Sequence, residues 1–600
     1  MRGGGGDVQS NHPRDNRRIS RPKVKSGCRT CKSVAVVAFS LRKKVEADWA
    51  SRIRKVKCDE GRPACHRCVS TGRVCDGYGV WGGGGNFYGH RQRLTVLKET
   101  SVAPWPPGSV SILAASAEET QCFEWFKCRA AKKLPGMFVL NFWDTLLFQA
   151  SLNEPAVFYA VLTLSSIHKG EILNGNSQGR SDIPDEQEQF MLQNYIKAIS
   201  HLQPHFSNKD KSSVRVGLIT CVVFVCLELL RGRFRTAQTH LQSGLKVLGE
   251  TQNLSNVNDD SIFLLRPSRE SIDNWIVEAF SRLHIQVVLF EQGHRLPCLI
   301  LQVPGPEPPI LIFHSLNEAW KQMERLLNEI FHLAKQVRGQ RASEYLSLRD
   351  PSTLLRHQQH IQAELAQWLN TYEASKEGLQ GRESGGMAFQ LLCTYYTMAN
   401  IMAEVCLWLD NELIFDSCTK QFVSMIGQMT NLWNVRLSGS QVRALPARYM
   451  NMSRSVVDVG WLPPLYYVAL KCRVHQVRLQ AIRLLECTSH REGIWDSKIA
   501  ACVARKVMEI EERDFYRDVD TADDFPLSSS PELWDLSLPA LPESYRIHEV
   551  KVVLPDGPMD SVFLFYRQRQ NSWNWKALVK EFNVLRQCWM DERTGEKAEM

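Results

Sequence analysis

From Gln121 onward, apolar side chains recur three and four positions apart, the spacing that lays them along one face of an α-helix. The segments 143–172, 187–202, 215–230, 235–248, 271–291, 311–336, 354–374, 387–410, 464–488 and 495–517 carry this pattern, with breaks rich in Gly, Pro or Asn. The longest apolar stretch, 216–230, contains Glu228 and is shorter than the ~20 apolar residues of a membrane-spanning helix, so it predicts a buried core helix. Around Leu229, Leu230, Gly232 and Phe234, followed by Ala237, Leu241, Gly244 and Leu245, the pattern predicts one packed helical hairpin of the tetratricopeptide kind; a single copy makes no array. Near the C-terminus, 547–554 and 561–566 are β-branched and aromatic on either side of Pro555-Asp556-Gly557-Pro558, which predicts a short hairpin. The fold class expected is mainly α, with a large all-α domain over 121–600.

Residues 1–25 differ in kind. They are rich in Gly, Asn, Arg and Pro without apolar periodicity, and read as a disordered basic arm in which Arg17, Arg18, Arg21, Lys23 and Lys25 suit nuclear import or phosphate contact. Residues 79–120, opened by a glycine run and containing several prolines, read as a flexible linker. Leu94 and Leu97 start no sustained heptad, so a homodimer stays open rather than indicated.

The chain has 600 residues and 44% apolar content, enough for a small module plus one or two larger domains. Its net charge of +9 is unevenly placed: between Arg14 and Cys75 there are 18 Lys plus Arg against 5 Asp plus Glu, which leaves the remainder net acidic. Affinity for a polyanion therefore belongs to one short segment. The polar opening, with no apolar run, argues against a secretory route for the 18 cysteines. Twelve of them, including Cys221, Cys226, Cys406 and Cys472, mostly sit in apolar helical contexts as small buried hydrophobes.

The other six are Cys28, Cys31, Cys58, Cys65, Cys68 and Cys75. Thiolates bind Zn²⁺ tetrahedrally, and a Cys-x2-Cys pair brings two onto one ion within a turn. Six thiolates cannot fill two separate four-sulfur sites, so two must bridge, which makes a binuclear cluster with two zinc ions. The spacing Cys65-x2-Cys68-x6-Cys75 is regular, whereas 26 residues separate Cys31 from Cys58.

Residues 28–75 resemble the fungal binuclear zinc cluster family of transcription factors, whose pattern is Cys-x2-Cys-x6-Cys, a short loop, then Cys-x2-Cys-x6-Cys. The resemblance implies that Cys28 and Cys65 bridge the metals, that Cys31 and Cys58 complete one site, and that Cys68 and Cys75 complete the other. Removing the 20 residues 33–52 leaves Lys-Ile-Arg-Lys-Val-Lys between Cys31 and Cys58, the six-residue basic loop of the family. The segment reads as a translated intron, because 20 codons preserve the frame and its Ser-Val and Ala-Asp steps suit a splice donor and a branch sequence. The zinc module then spans 26–78.

In the family, a helix points into the major groove at a CGG-type triplet. The matching positions here are Arg54 and Lys55, of the residue types that contact guanine O6 and N7. Lys32 and Lys57, with Arg29 and Arg67, suit phosphate contacts, and Pro63 turns the chain between the halves. Segments 138–169 and 195–248 also resemble the fungal-specific transcription factor domain, a regulatory helical region. The expected activity is zinc-dependent, sequence-specific DNA binding in the nucleus that regulates RNA polymerase II genes, with double-stranded DNA and the transcription machinery or co-regulators as partners and no membrane.

Two other classes make different demands on the chain. A helical interaction scaffold with a cluster broken by 33–52 would show no preference for CGG. A hydrolase would need Gly175-Asn176-Ser177-Gln178-Gly179 as a nucleophile elbow, but this G-x-S-x-G lies in a polar loop with no preceding strand. No Walker A loop, H-E-x-x-H or strand-to-helix G-x-G-x-x-G is present, so the reading is not an enzyme.

Overall fold

The computed structural model describes residue 70 and residues 116–138, 140–173, 186–208, 210–251, 262–265, 273–291, 298–301, 311–342, 351–380, 385–438, 455–487, 490–519, 521, 523–529, 538–557, 560–571 and 574–590. Met1–Arg91 and Gln92–Met600 form separate compact units. Apart from Ser70, everything described belongs to the second, and it is mainly α.

Helix α1 (Ala117–Trp125) is opened by a capping box. The Ser116 hydroxyl accepts from the Glu119 N–H at 3.1 Å, and the Glu119 carboxylate accepts from the Ser116 N–H at 3.0 Å. The single helix expected over 143–172 is two, α2 (Leu147–Ser151) and α3 (Pro155–Leu173). Pro155 has no N–H to continue a helix but fits its first position, so the chain breaks and restarts there. Helices α4 (Glu186–Ser207), α5 (Lys211–Leu230) and α6 (Phe234–Thr251) follow. Helix α5, long and apolar enough to cross a membrane by length and composition, is mostly buried among its neighbours.

The expected hairpin is α5–α6. Gly232, at φ +72°, ends α5 in a left-handed turn in which the Arg233 N–H donates to Glu228 O at 2.9 Å and the Gly232 N–H to Leu229 O at 3.1 Å. The second helix packs so closely that a Cβ on Gly244 would stand 2.4 Å from the Phe280 ring and 2.9 Å from Cys221 Sγ. Gly244→Ala is therefore expected to destabilise by about 1–3 kcal/mol through overpacking. Gly249→Ala on the same helix meets nothing within 4 Å. It should be neutral or stabilising by up to about 1 kcal/mol from helix propensity. Denaturant midpoints of the two variants test the opposite signs.

Strands β1 (Ile262–Leu265) and β2 (Cys298–Leu301) pair in parallel around α7 (Asp273–Glu291). Helices α8 (Leu316–Ala342), α9 (Pro351–Ala374) and α10 (Gly385–Val405) share an aromatic core, with Trp368 stacked on Tyr372 at 5.1 Å and Trp320 edge-on to Tyr395 at 4.6 Å. A 3-10 turn, Glu412–Cys418, leads into α11 (Thr419–Ser438). Sequence reading missed this helix, although Phe422, Met425, Ile426 and Met429 have helical spacing and are buried.

Strand β3 (Ser455–Val456) precedes α12 (Leu462–Lys471) and α13 (His475–Glu486), where one helix over 464–488 was expected; β4 (Arg491–Glu492), β5 (Trp495–Asp496) and α14 (Ser497–Glu512) follow. The Asp496 carboxylate caps α14 through the N–H groups of Lys498 and Ile499.

The expected C-terminal hairpin is the first half of an antiparallel sheet, β6 (Ile547–Val553), β7 (Ser561–Asn571), β8 (Asn574–Asn583) and β9 (Cys588–Trp589), in that order. Val562, Leu564 and Tyr566 alternate onto its buried face. Periodicity hides β8, because Trp575, Leu578, Val579 and Phe582 fall at helical spacing; pairing with β7 decides it. In the β6–β7 turn, the Asp556 carboxylate accepts from the N–H and hydroxyl of Thr236 at 3.0 and 2.9 Å, which fastens the turn to the start of α6.

Candidate functional site

The six cysteines and the four basic positions Lys32, Arg54, Lys55 and Lys57 lie outside the described residues, as do 1–25, 33–52 and Ser177. Their fit to zinc is a matter of donor chemistry: six soft sulfur donors in two Cys-x2-Cys pairs with two further cysteines suit zinc and no hard cation. Among the described residues, no group of three or more His, Cys, Asp or Glu side chains could hold a metal ion. Cysteines there behave differently. Burial pushes the Cys406 thiol up to about 12 and that of Cys472 up to about 11, so neither offers a thiolate at neutral pH. Cys128, Cys487 and Cys588 are exposed and are exceptions to the mostly buried reading of the twelve.

The helical unit instead holds a buried ionic network. Arg473 Nη2 donates to Glu412 Oε2 and to Glu511 Oε1, each at 2.9 Å. Arg478 Nη2 donates to the other Glu511 oxygen, and the Ile547 N–H reaches Glu511 Oε1 at 2.9 Å. Arg546, fully buried, donates to Glu412 O at 2.8 Å and to the Asp416 carboxylate. Three structural pieces meet in this network: the 3-10 turn, the α12–α14 region and the start of β6. Burial alone would raise the Glu412 pKa, but Lys471 and Arg473 outweigh it and hold the carboxyl at about 2. Apart from this network, the buried Arg282 donates to Glu324 at 3.1 Å and to Asp458 at 2.6 Å, joining α7 and α8 to the residues before α12.

Beside the first network lies a cavity of about 210 Å³. The C-terminal halves of α8 and α10 supply apolar walls, including Phe331, Ala334, Met402 and Val405. Glu412, Phe415, Tyr467 and Lys471 line another side, and Glu549 of β6 reaches its edge. Lys471 Nζ donates to Glu412 Oε1 at 2.8 Å and stands 4.9 Å from the Phe415 ring centre. Sequence reading missed this cavity, because its polar groups come from segments far apart in the chain and none carries a motif.

Residues 49–80 match the family model described as the fungal Zn(2)-Cys(6) binuclear cluster domain, and residues 133–409 match the fungal specific transcription factor domain. The first match begins at Trp49, so it takes in Cys58, Cys65, Cys68 and Cys75 but neither Cys28 nor Cys31. The chain is similar to the aspercryptin biosynthesis cluster-specific transcription regulator atnN of Emericella nidulans, 24% identical over 549 residues that cover 77% of this chain and 86% of the relative. It is also similar to the transcription regulator lscL of Purpureocillium lilacinum, 28% identical over 228 residues covering 35% of this chain and 52% of the relative. No solved structure matches. With a cysteine set suited to zinc at one end, a helical unit carrying the fungal-specific domain after it, and regulators of transcription as its relatives, the chain belongs to the fungal binuclear zinc cluster transcription factors, which bind DNA and regulate transcription.

Proposed function

We propose that Cys28, Cys31, Cys58, Cys65, Cys68 and Cys75 hold two zinc ions, with Cys28 and Cys65 as the shared ligands, and that this cluster reads CGG-type triplets in genes of RNA polymerase II. The observation that carries the reading is the spacing of the six cysteines around a basic loop. Zinc, when bound, folds the module and supplies no chemical step. Arg54 and Lys55 face guanine edges, while Lys32 and Lys57 neutralise phosphates and set the salt dependence. The protein acts in the nucleus through co-regulators, as a homodimer or a monomer. The role in atnN's name, regulator of a biosynthesis cluster, makes the genes of such a cluster the first targets to examine.

Residues 33–52 stand between the second and third metal ligands and are foreign to the module. The reading rests on the six-residue basic spacing that their removal restores between Cys31 and Cys58; the family match begins inside the segment, at Trp49. Loop closure grows costlier only slowly with length, so zinc still binds with the segment present, whereas docking in the groove suffers. Mobility shifts on CGG and scrambled duplexes, run with and without 33–52, test both points. The shortened chain is expected to prefer CGG by about 10³-fold or more, the usual margin of specific over non-specific binding. Equal binding of both duplexes by the shortened chain would overturn the CGG reading, equal binding by the zinc-loaded chain that keeps 33–52 would favour an interaction scaffold with a broken cluster, and a spliced message retaining these codons would end the intron reading.

A further inference from the structure

The cavity beside Lys471 is built from both sides of the boundary at which the family match ends. Residues up to Leu409 lie inside the match, while Glu412, Phe415, Lys471 and Glu549 lie beyond it. Its polar side holds Lys471 and Arg338 beside the carboxylates of Asp410, Glu412 and Glu549, and Glu549 is already paired with Arg567 at 3.1 Å. Both Glu412 oxygens are occupied, one by Lys471 and one by Arg473. Lys471 Nζ has Glu412 as its hydrogen-bond acceptor, and an ammonium has three N–H groups, so further donors remain to meet an incoming acceptor. Facing them are apolar walls and Trp408, which is 54% exposed at the rim. Glu549 reaches the rim from a bulge in β6 and holds a φ of +49°, a conformation that a side chain of this kind adopts only when its surroundings impose it.

We propose that this cavity binds a small, largely apolar carboxylic acid, its body against the walls from α8 and α10 and its carboxylate on Lys471. A ligand seated there touches the helical body and the first strand of the C-terminal sheet together, and so tightens the docking of that sheet. Such binding needs no DNA and no zinc, so it stands or falls separately from the DNA-binding reading.

Calorimetric titration of the full chain with naphthylacetate, and with the cation naphthylmethylamine as a partner of similar size, tests the assignment. Saturable binding of the acid at a single site is expected, with the cation weaker by about tenfold or more, the factor that one charge-assisted hydrogen bond contributes. Ala334→Phe places a ring inside the cavity and should abolish binding, with circular dichroism confirming that the chain is folded. Trp408→Ala, at an exposed rim position, should weaken binding without disturbing the fold, and Lys471→Met should erase the preference for the acid. Absence of saturable binding by the unaltered chain, or affinity retained in both Ala334→Phe and Trp408→Ala, overturns the site. Equal affinity for acid and cation overturns the ligand class.

Discussion

Glu511→Ala is expected to lower the stability of the helical unit by about 3–5 kcal/mol, the usual loss when one partner of a buried ion pair is removed. Glu511 is fully buried and receives Arg473, Arg478 and the Ile547 N–H. Its removal leaves Arg478, itself fully buried, without its nearest carboxylate, and takes one of two carboxylate partners from Arg473. It also orphans a backbone donor where β6 begins. Urea unfolding checks the magnitude; a loss below about 1 kcal/mol, the scale of an exposed pair, would mean that the network is solvated rather than buried. The pH dependence has a definite sign. Glu412 has its pKa depressed from 4.5 to about 2, so its contribution is complete above the unfolded value and disappears with protonation. Stability should fall as pH drops from 4.5 through about 2, and acid titration followed by circular dichroism measures this.

Cys65→Ala should release both zinc ions and with them essentially all sequence-specific binding, a loss of about 10³-fold or more in affinity for a CGG duplex. The reason is that in the proposed cluster the Cys65 thiolate belongs to both tetrahedra, so its loss leaves each metal with three sulfurs and no shared edge. Elemental analysis that finds two zinc ions retained in the variant would contradict the bridging role. Arg54→Ala separates folding from reading. It should keep both metals and lose about 1–3 kcal/mol of discrimination between CGG and altered triplets, because the proposed base contact is removed while the proposed ligands are untouched.

Local signals were enough for much of this protein. Helical spacing located α3 to α10 closely, because amphipathic stripes of two or more turns can bury their apolar face only as helices. The α5–α6 hairpin was legible in Gly232 and in the apolar residues on either side of it. For α11 the signal was present and unread. The proposed DNA-binding site is legible only as a pattern of cysteines and basic residues, since those residues lie outside the described structure.

What the sequence by itself determined is therefore the class of protein and most of its helices: cysteine spacing carries ligand chemistry without reference to neighbours, and a period of 3.6 is a local property. Only the tertiary structure decided where α12 ends. The chain turns extended at Cys472 because the Arg478 Nε–H and Arg473 Nη1–H donate to the last carbonyls, Ala469 O at 2.9 Å and Lys471 O at 2.7 Å, and those guanidiniums are held by Glu412 and Glu511 from distant segments. The same holds for β8, whose helical periodicity yields to pairing with β7, and for the cavity at Lys471, which exists only because α8, α10, α12 and β6 converge on it. In each case the deciding partner is remote in sequence, and a buried polar group must find it wherever the fold places it.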